Sequence, residues 1–334
     1  MAESEHAMIA RLLSPLSQGL PGAFALSDDA AALAPPEGCE FVITMDTLVE
    51  GVHFLFDGSA AAAGRAAAKA LAVNVSDLSA KGAEPYAYLL SLALPDGHAV
   101  WLDGFVTGLQ AAQDDFALKL AGGDTVRTPG PFTVTITAIG AVPTGGMLRR
   151  SGARPGDILM VSGCIGDAHL GLVLDRSERR ATGWRVAIGD DGVTGLLARN
   201  RTPTPRRQLI PALRAYATAT LDVSDGLAID ASRMAAASGV GVEIDLASLP
   251  LSRACAALVA IGEVRIEELV TGGDDYEILA AVAPADEAAF VAAAGHAGLL
   301  LTSIGGIAAE TGLRITGANG QPMQLDSLGW DHFA

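Results

Sequence analysis

The chain has 334 residues, of which 50% are hydrophobic and 18% charged, and its 39 glycines indicate many tight turns. This length favours two domains of roughly 150 residues each. The formal net charge of −16 argues against nucleic acid or an anionic membrane as a partner, although cations could bridge the protein to small anions.

Three further features concern the cellular compartment. The longest uncharged stretch, residues 128–148, contains prolines and repeated glycines, so we predict no membrane span. The N-terminal region carries acids where a signal peptide needs basic residues, which predicts a cytoplasmic protein. Cys39, Cys164 and Cys255 have no metal-ligand spacing and fit the reduced core residues of that compartment.

In chain order, the first predicted element is a helix over residues 4–16, which has an apolar stripe. A strand follows at 40–48 and delivers Asp46 near its end, and an alanine-rich helix at about 60–81 carries Asp77. Strands are predicted at about 87–94 and 117–121, separated by a helix, and at 132–142. We expect the "GGD" that ends in Asp124 to form a turn after the strand at 117–121.

The second half begins with a turn at 155–157 that leads into a strand and then a helix near 165–175. Residues 176–204 have no clear pattern, and a helix is predicted at about 205–217. A strand then ends in "LDVSDG", a helix runs to about Ser238, and helices and strands alternate up to Gly306. These elements predict an α/β fold with mixed sheets in two domains, residues 1–145 and 146–334.

Aspartates recur near the ends of the predicted elements. A single aspartate at such a place usually caps a helix or a turn. If several of them converged, each unpaired contact at about 4 Å would cost about 4 kcal/mol at an effective dielectric constant of 20, so convergence would require bound cations. Oxygen ligands without nearby histidine or thiol groups favour Mg²⁺. The aspartates in question are Asp28, Asp29, Asp46, Asp77, Asp124, Asp222, Asp225, Asp274 and Asp275.

Other phosphate-binding signals are weak. The chain has no Walker A pattern, no kinase glycine-rich loop and no dinucleotide fingerprint. Arg150 could clamp a phosphate, although an isolated arginine is more often a solvated surface group. His53 is the histidine nearest in sequence to Asp46, and a lone histidine more often has a structural role. A metal-dependent phosphohydrolase and a non-catalytic nucleotide-binding module therefore stay open at this point.

Seven motifs in order closely resemble the thiamine-monophosphate kinase family over nearly the whole chain. They are "SDDAAAL", "TMDTLVEGVHF", "KALAVNVSDLSAKGAEP", "AGGDTVR", "RSGARPGD", "LDVSDGLAIDASRMA" and "TGGDDYEIL". The resemblance implies the fold of aminoimidazole ribonucleotide synthetase and transfer of the γ-phosphoryl group of ATP to thiamine monophosphate. It also implies a homodimer formed through the sheet of the 1–145 domain, which binds ATP and Mg²⁺. The 146–334 domain would complete the nucleotide and substrate site.

The resemblance also implies roles for individual residues. Several Mg²⁺ ions would be held by Asp29, Thr44, Met45, Asp46, Asp77, Asp124, Asp222 and Asp225, with Met45 using its carbonyl. Gly123, Asp124, Arg150 and Ser224 would contact the nucleotide, and His53, Asp274 and Trp330 the thiamine phosphate. Asp46, Asp77, Asp124 and Arg150 would carry catalysis. Asp274 stands where the family usually has glutamate, and a requirement for K⁺ is left open.

Overall fold

The computed structural model describes residues 4–95 and 101–332. The chain forms two compact units. Unit 1 comprises Met1–Leu78 and Ala83–Met147, and unit 2 comprises Ser79–Gly82 and Leu148–Ala334. Each unit contains helices and a sheet with both parallel and antiparallel neighbours, so the predicted α/β class with mixed sheets is confirmed.

Unit 1 is built on a four-stranded sheet in the order β1-β4-β2-β3, in which only the β2–β3 pair is parallel. Helix α1 continues through a π-helical turn and a 3₁₀ turn to Ser17, which accounts for the predicted N-terminal helix. The elements are α1 (Glu5–Met8), β1 (Cys39–Val49), α2 (Ala60–Ala80), β2 (Glu84–Leu94), α3 (Leu102–Phe116), β3 (Lys119–Arg127) and β4 (Thr133–Pro143).

The two faces of this sheet differ in exposure because side chains alternate along each strand. On β1, Val42 and Leu48 are buried, whereas Ile43 and Met45 on the opposite face are 64% and 63% exposed. Helix α2 is almost wholly buried, since its alanines allow close packing on every side. Unit 1 therefore has one covered face and one face that leaves apolar side chains exposed.

Unit 2 has a seven-stranded sheet in the order β11-β10-β7-β9-β5-β8-β6, parallel only between β10 and β7. Alternate residues of β5 enter two cores: Leu159 and Val161 pack with α7, whereas Met160 packs with α6 and α10. The strands are β5 (Ile158–Ser162), β6 (Ala217–Asp222), β7 (Gly241–Asp245), β8 (Ile278–Val282), β9 (Leu301–Ala308), β10 (Gly312–Thr316) and β11 (Pro322–Met323). The helices are α4 (Asp167–Asp175), α5 (Trp184–Arg201), α6 (Ile210–Tyr216), α7 (Leu227–Ser238), α8 (Arg253–Ala260), α9 (Ile266–Thr271) and α10 (Glu287–His296).

One prediction about an element was wrong, and one helix was not predicted. The "GGD" before Thr125 is not a turn, because strand β3 continues through it from Lys119 to Arg127. The unpatterned segment contains helix α5, whose few buried side chains and whose non-helical Gly189, with φ of 70°, leave no clear helical period. Asp46 also lies within its strand, three residues before the end of β1.

Within the described ranges 4–95 and 101–332, no helix is both long enough and apolar enough to span a bilayer.

Candidate functional site

Strand β1 and helix α2 bring two of the predicted site residues into contact. The Thr44 hydroxyl donates to Asp77 Oδ2 at 2.5 Å, although the two residues are 33 positions apart in the chain. Both side chains are half-buried, as is Asp46 on the same face of β1. A hydroxyl and two carboxylates thus occupy one region of the helix-covered face, and oxygen donors of this kind suit a hard divalent cation.

Asp124 lies elsewhere in the same unit. Asp124 pairs with Ser91 of β2, so these two side chains lie on one face of the sheet. Asp46 pairs with Ile136 of β4, which in turn pairs with Leu90 of β2, so Asp46 shares its face with Leu90. Leu90 and Ser91 are consecutive residues of a strand and point to opposite faces. Strands β1 and β3 are at opposite edges, so the backbones of the two residues are about 14 Å apart at the usual strand spacing, and their side chains project from opposite faces. Asp46 and Asp124 of one unit therefore cannot bind the same ion in this arrangement.

Gly123 beside Asp124 is required by backbone packing. A Cβ atom at this position would lie 1.9 Å from the Leu90 carbonyl oxygen, whereas one on Gly122 would meet nothing closer than Leu89 Cδ2 at 3.5 Å. We expect Gly123→Ala to force β2 and β3 apart and to destabilise unit 1 by about 1–3 kcal/mol, as overpacking does. Gly122→Ala is the matched control, and its free energy of unfolding, measured by urea titration, should lie within about 1 kcal/mol of the wild-type value. Equal stability of the two variants would contradict this account.

His53 is held in one orientation by the turn after β1. The Val49 N–H donates to His53 Nδ1 at 3.0 Å, and Lys69 Nζ donates to the His53 carbonyl at 3.0 Å. An Nδ1 atom that accepts a hydrogen bond leaves Nε2 to carry the proton in the neutral ring. The ring is therefore set to act as a donor through Nε2.

In unit 2, three motifs that are far apart in the chain form one group of loops. The Asp274 N–H donates to the Ser224 carbonyl at 2.7 Å, and the Trp330 N–H donates to the Asp225 carbonyl at 2.9 Å. Trp330 is 49% exposed, and the Asp222 side chain is buried at the end of β6. The predicted nucleotide, metal and substrate residues Ser224, Asp225, Asp274 and Trp330 are thus neighbours in this unit.

The loop that carries Asp274 is strained. Asp274 and Tyr276 have φ of 71° and 50°, a region that residues other than glycine rarely adopt. The Tyr276 hydroxyl donates to Asp274 Oδ1 at 3.1 Å, and the Tyr276 N–H donates to the Val223 carbonyl. Such a conformation persists only where the surroundings hold it in place.

A buried ion network, absent from the sequence prediction, holds this loop. The Glu277 side chain is fully buried and accepts from Ser162 Oγ at 2.6 Å, Arg206 Nε at 2.6 Å and Arg199 Nη2 at 2.9 Å. Arg199 Nη2 also donates to the Asp275 carbonyl at 2.7 Å. Two guanidinium groups therefore connect the loop to helix α5 and the segment after it. In the sequence, the only indication of this network was the glutamate that follows "GGDDY".

Asp275 supports the same loop from the other side. Its fully buried carboxylate accepts from the N–H groups of Gly166 and Ala168, at 2.8 Å and 3.3 Å, at the start of α4. Burial raises the pKa of Asp275 to about 8, although the Gly166 hydrogen bond and the Arg199 charge act in the opposite direction. Asp275 thus secures the turn that presents Asp274.

An arginine and two aspartates fix the conformation of the "DVSDG" loop. Asp230 Oδ2 accepts from the N–H groups of Ser224 and Asp225, both at 3.0 Å. Arg233 Nη1 donates to Asp225 Oδ2 and to Asp230 Oδ1, each at 2.6 Å. Burial raises the pKa of Asp230, while the Arg233 guanidinium lowers it. Asp225, a predicted metal ligand, is therefore ion-paired in this structure.

The remaining predicted residues lie on exposed segments or on the open sheet face. Asp29 is exposed, and its N–H donates to Asp28 Oδ1 at 2.8 Å, a common turn contact. Met45 points away from the Thr44 face of β1, and the Arg150 side chain is exposed. Of the three cysteines expected in the core, Cys255 is buried, whereas Cys39 and Cys164 are half-buried. Burial raises the pKa of the Cys164 thiol, which argues against a nucleophile.

Among residues 4–95 and 101–332, no three His, Cys, Asp or Glu side chains are grouped closely enough to hold a metal ion by themselves. The donor chemistry nevertheless fits Mg²⁺, since Thr44, Asp46 and Asp77 offer only oxygen atoms, and so do Asp222 and Asp225. Mg²⁺ commonly takes one or two carboxylates and fills its other positions with water and phosphate oxygens.

Two family descriptions match the chain. "AIR synthase related protein, N-terminal domain" matches residues 27–142, and "AIR synthase related protein, C-terminal domain" matches residues 154–318. The thiamine-monophosphate kinase of Caulobacter vibrioides is 42% identical over 334 residues, which cover 99% of this chain and 90% of that protein.

Solved structures agree with this match. The crystal structure of thiamine-monophosphate kinase from Stenotrophomonas maltophilia K279a has a TM-score of 0.81 and 37% identity, and the match covers 97% of this chain and 99% of that one. A structure described as AaThiL complexed with AMPPCP and TMP has a TM-score of 0.75 and 29% identity, covering 98% and 97%. The chain therefore belongs to the AIR synthase related family and, within it, to the thiamine-monophosphate kinases.

Proposed function

We propose that this protein transfers the γ-phosphoryl group of ATP to the phosphate of thiamine monophosphate, giving thiamine diphosphate and ADP. The observation that carries the proposal is 42% identity to a thiamine-monophosphate kinase over 99% of the chain. The related complex with AMPPCP and TMP supports both substrates, because AMPPCP is an analogue of ATP. In unit 2, the proximity of Ser224 to Asp274 and Trp330 supports the predicted nucleotide and acceptor contacts.

The acceptor needs little activation. A phosphate monoester is already anionic near neutral pH, so direct in-line attack on the γ-phosphorus requires no strong general base. Catalysis then depends on positioning and charge neutralisation. Trp330, half exposed, would stack on the thiamine rings, and Asp274 would contact the same ligand. His53 would donate from Nε2 to the acceptor phosphate rather than remove a proton.

The carboxylates would hold the divalent ions. Thr44, Asp46 and Asp77 form one set in unit 1 and Asp124 another, because Asp46 and Asp124 are at opposite sheet edges. Asp222 and Asp225 would serve in unit 2, with Asp29 and the Met45 carbonyl as further predicted ligands. When bound, Mg²⁺ would neutralise phosphate charge and align the reacting groups. Arg150, exposed and cationic, would add positive charge toward the nucleotide.

Metal removal should abolish the activity. We expect no product after treatment with EDTA and full recovery when Mg²⁺ is returned at millimolar concentration, because the acidic residues would otherwise repel ATP. The control is EDTA already saturated with Mg²⁺, which should have no effect. Activity that persists in metal-depleted buffer would contradict the proposed role of these carboxylates.

The substrate assignment is tested by product identification. The protein is incubated with Mg²⁺ and ATP in three reactions: with thiamine monophosphate, with aminoimidazole-pathway substrates, and with no acceptor. Mass spectrometry should find thiamine diphosphate and ADP in the first reaction only. Phosphate release without acceptor would indicate a phosphohydrolase, and product from the second reaction would indicate another enzyme of the family. ATP binding without any product would indicate a nucleotide-binding module.

A homodimer through the unit 1 sheet is part of the proposal. The uncovered face carries Ile43, Met45, Leu89 and Val126, which are 64%, 63%, 38% and 46% exposed. Several exposed apolar side chains on one sheet face are typical of protein interfaces. The cytoplasmic location stays a prediction.

A further inference from the structure

Arg233 contacts two carboxylates of the "DVSDG" loop and its helix with a single nitrogen. Its Nη1 atom donates to Asp225 Oδ2 and to Asp230 Oδ1, both at 2.6 Å. Hydrogen bonds of this length between charged groups are among the stronger ones in proteins. The two acidic side chains differ, however, because Asp230 is 3% exposed and Asp225 is 32% exposed.

The different surroundings give the two carboxylates different roles. Asp230 also accepts from the backbone N–H groups of Ser224 and Asp225, so it is fixed to the loop independently of Arg233. The Asp225 side chain, in contrast, is partly exposed, so a hydrated cation can approach it. Arg233 is itself 38% exposed, which leaves room for its guanidinium to move toward solvent.

We propose that Arg233 is a resident counter-ion of the loop: it neutralises Asp225 when no divalent ion is bound and competes with the ion for that carboxylate. The proposal rests on the proposed function, in which Asp225 is a Mg²⁺ ligand. Arg233 thereby sets the concentration of Mg²⁺ at which this part of the site fills. It also keeps Asp225 from repelling Asp230 while the ion is absent.

The proposal makes an unusual prediction, because removal of the side chain strengthens binding. Arg233→Met keeps much of the aliphatic stem and removes the charge, so it should bind a divalent ion roughly tenfold more tightly, the effect of losing one competing ion pair and one nearby positive charge. A substitution that merely disordered the loop would instead weaken binding of the divalent ion. Arg233→Lys keeps the charge and should stay within about threefold of the wild type.

The test is a titration of the full-length protein with Mn²⁺ as the probe, without nucleotide, in which free Mn²⁺ is measured by electron paramagnetic resonance. Arg314→Met is the matched control, since Arg314 is 41% exposed and also pairs with two acids, Glu243 and Glu310. It changes the net charge by the same amount and should leave affinity unchanged. Asp225→Asn introduced into Arg233→Met should cancel the gain. Circular dichroism confirms that each variant is folded.

Tighter Mn²⁺ binding in Arg233→Met alone would support the proposal. Unchanged or weaker binding would overturn it, and so would an equal gain in Arg314→Met, which would reflect net charge only. A gain that survives Asp225→Asn would also overturn it. These outcomes are independent of the proposed reaction, whose failure would show as absence of thiamine diphosphate from the wild-type protein.

Discussion

Asp77→Asn should lower kcat by at least about 100-fold while changing the free energy of unfolding by less than about 1 kcal/mol. The amide has the same shape as the carboxylate, and its oxygen can still accept from the Thr44 hydroxyl, which lies 2.5 Å from Asp77 Oδ2. What the variant loses is the negative charge that would hold Mg²⁺. Removal of one preorganised electrostatic group in an active site commonly costs 100-fold to 1,000-fold in rate.

The kinetic measurement is made at saturating ATP and thiamine monophosphate over a range of Mg²⁺ concentrations, and stability is measured by urea unfolding. Asp103→Asn serves as the control in the same unit, because Asp103 forms an exposed ion pair with Arg11. That change should affect neither activity nor stability by much, since surface pairs contribute little. Turnover of Asp77→Asn near the wild-type rate at saturating Mg²⁺ would remove Asp77 from the proposed site.

Glu277→Gln should produce the largest loss of stability among single changes near the unit 2 loops, about 3–5 kcal/mol. Glu277 is fully buried between Arg199 and Arg206, whose side chains are 18% and 15% exposed. An amide leaves both guanidinium groups without their counter-ion and turns an N–H₂ group toward one of them. Removing one member of a buried ion pair typically costs this much, because the remaining charge cannot regain its hydration.

The matched control is Glu243→Gln, since Glu243 pairs with Arg314 in the same unit but is 54% exposed. Its effect should be below about 1 kcal/mol. The comparison uses the thermal transition of each full-length variant. A Glu277→Gln protein as stable as the Glu243→Gln protein would show that the network does not hold the loop.

Much of the fold follows from local sequence patterns. Alternation predicted the strand now seen as Thr133–Pro143, because its period matches that of a strand. The alanine-rich stretch predicted the helix Ala60–Ala80, because alanine has the highest helix propensity. Strand β3 was missed in part because its glycines look like a turn. Only pairing with β2, which passes through a bulge between Tyr88 and Leu89, makes the extended conformation the stable one.

The contacts within the candidate site were harder to predict from the sequence than the fold. Motifs identified Thr44 and Asp77, but their contact depends on how a strand and a helix pack, 33 residues apart. Glu277 binds Arg199 and Arg206, which precede it by 78 and 71 residues, and Arg199 lies in the segment without a readable pattern. The contact between Arg233 and Asp230 was easier to predict, because Arg233 follows Asp230 by three positions on one face of α7. Long-range ion pairs of this kind leave no periodic signal in a single sequence.

The central claim, transfer of a phosphoryl group between two phosphates, is tested most directly by following one reaction with ³¹P nuclear magnetic resonance. The protein is mixed with Mg²⁺, ATP and thiamine monophosphate, and all phosphorus signals are recorded over time. We predict that the γ signal of ATP and the thiamine monophosphate signal disappear at equal rates, while the two signals of thiamine diphosphate and those of ADP grow in step. Inorganic phosphate that accumulates while the thiamine monophosphate signal stays constant would contradict the account.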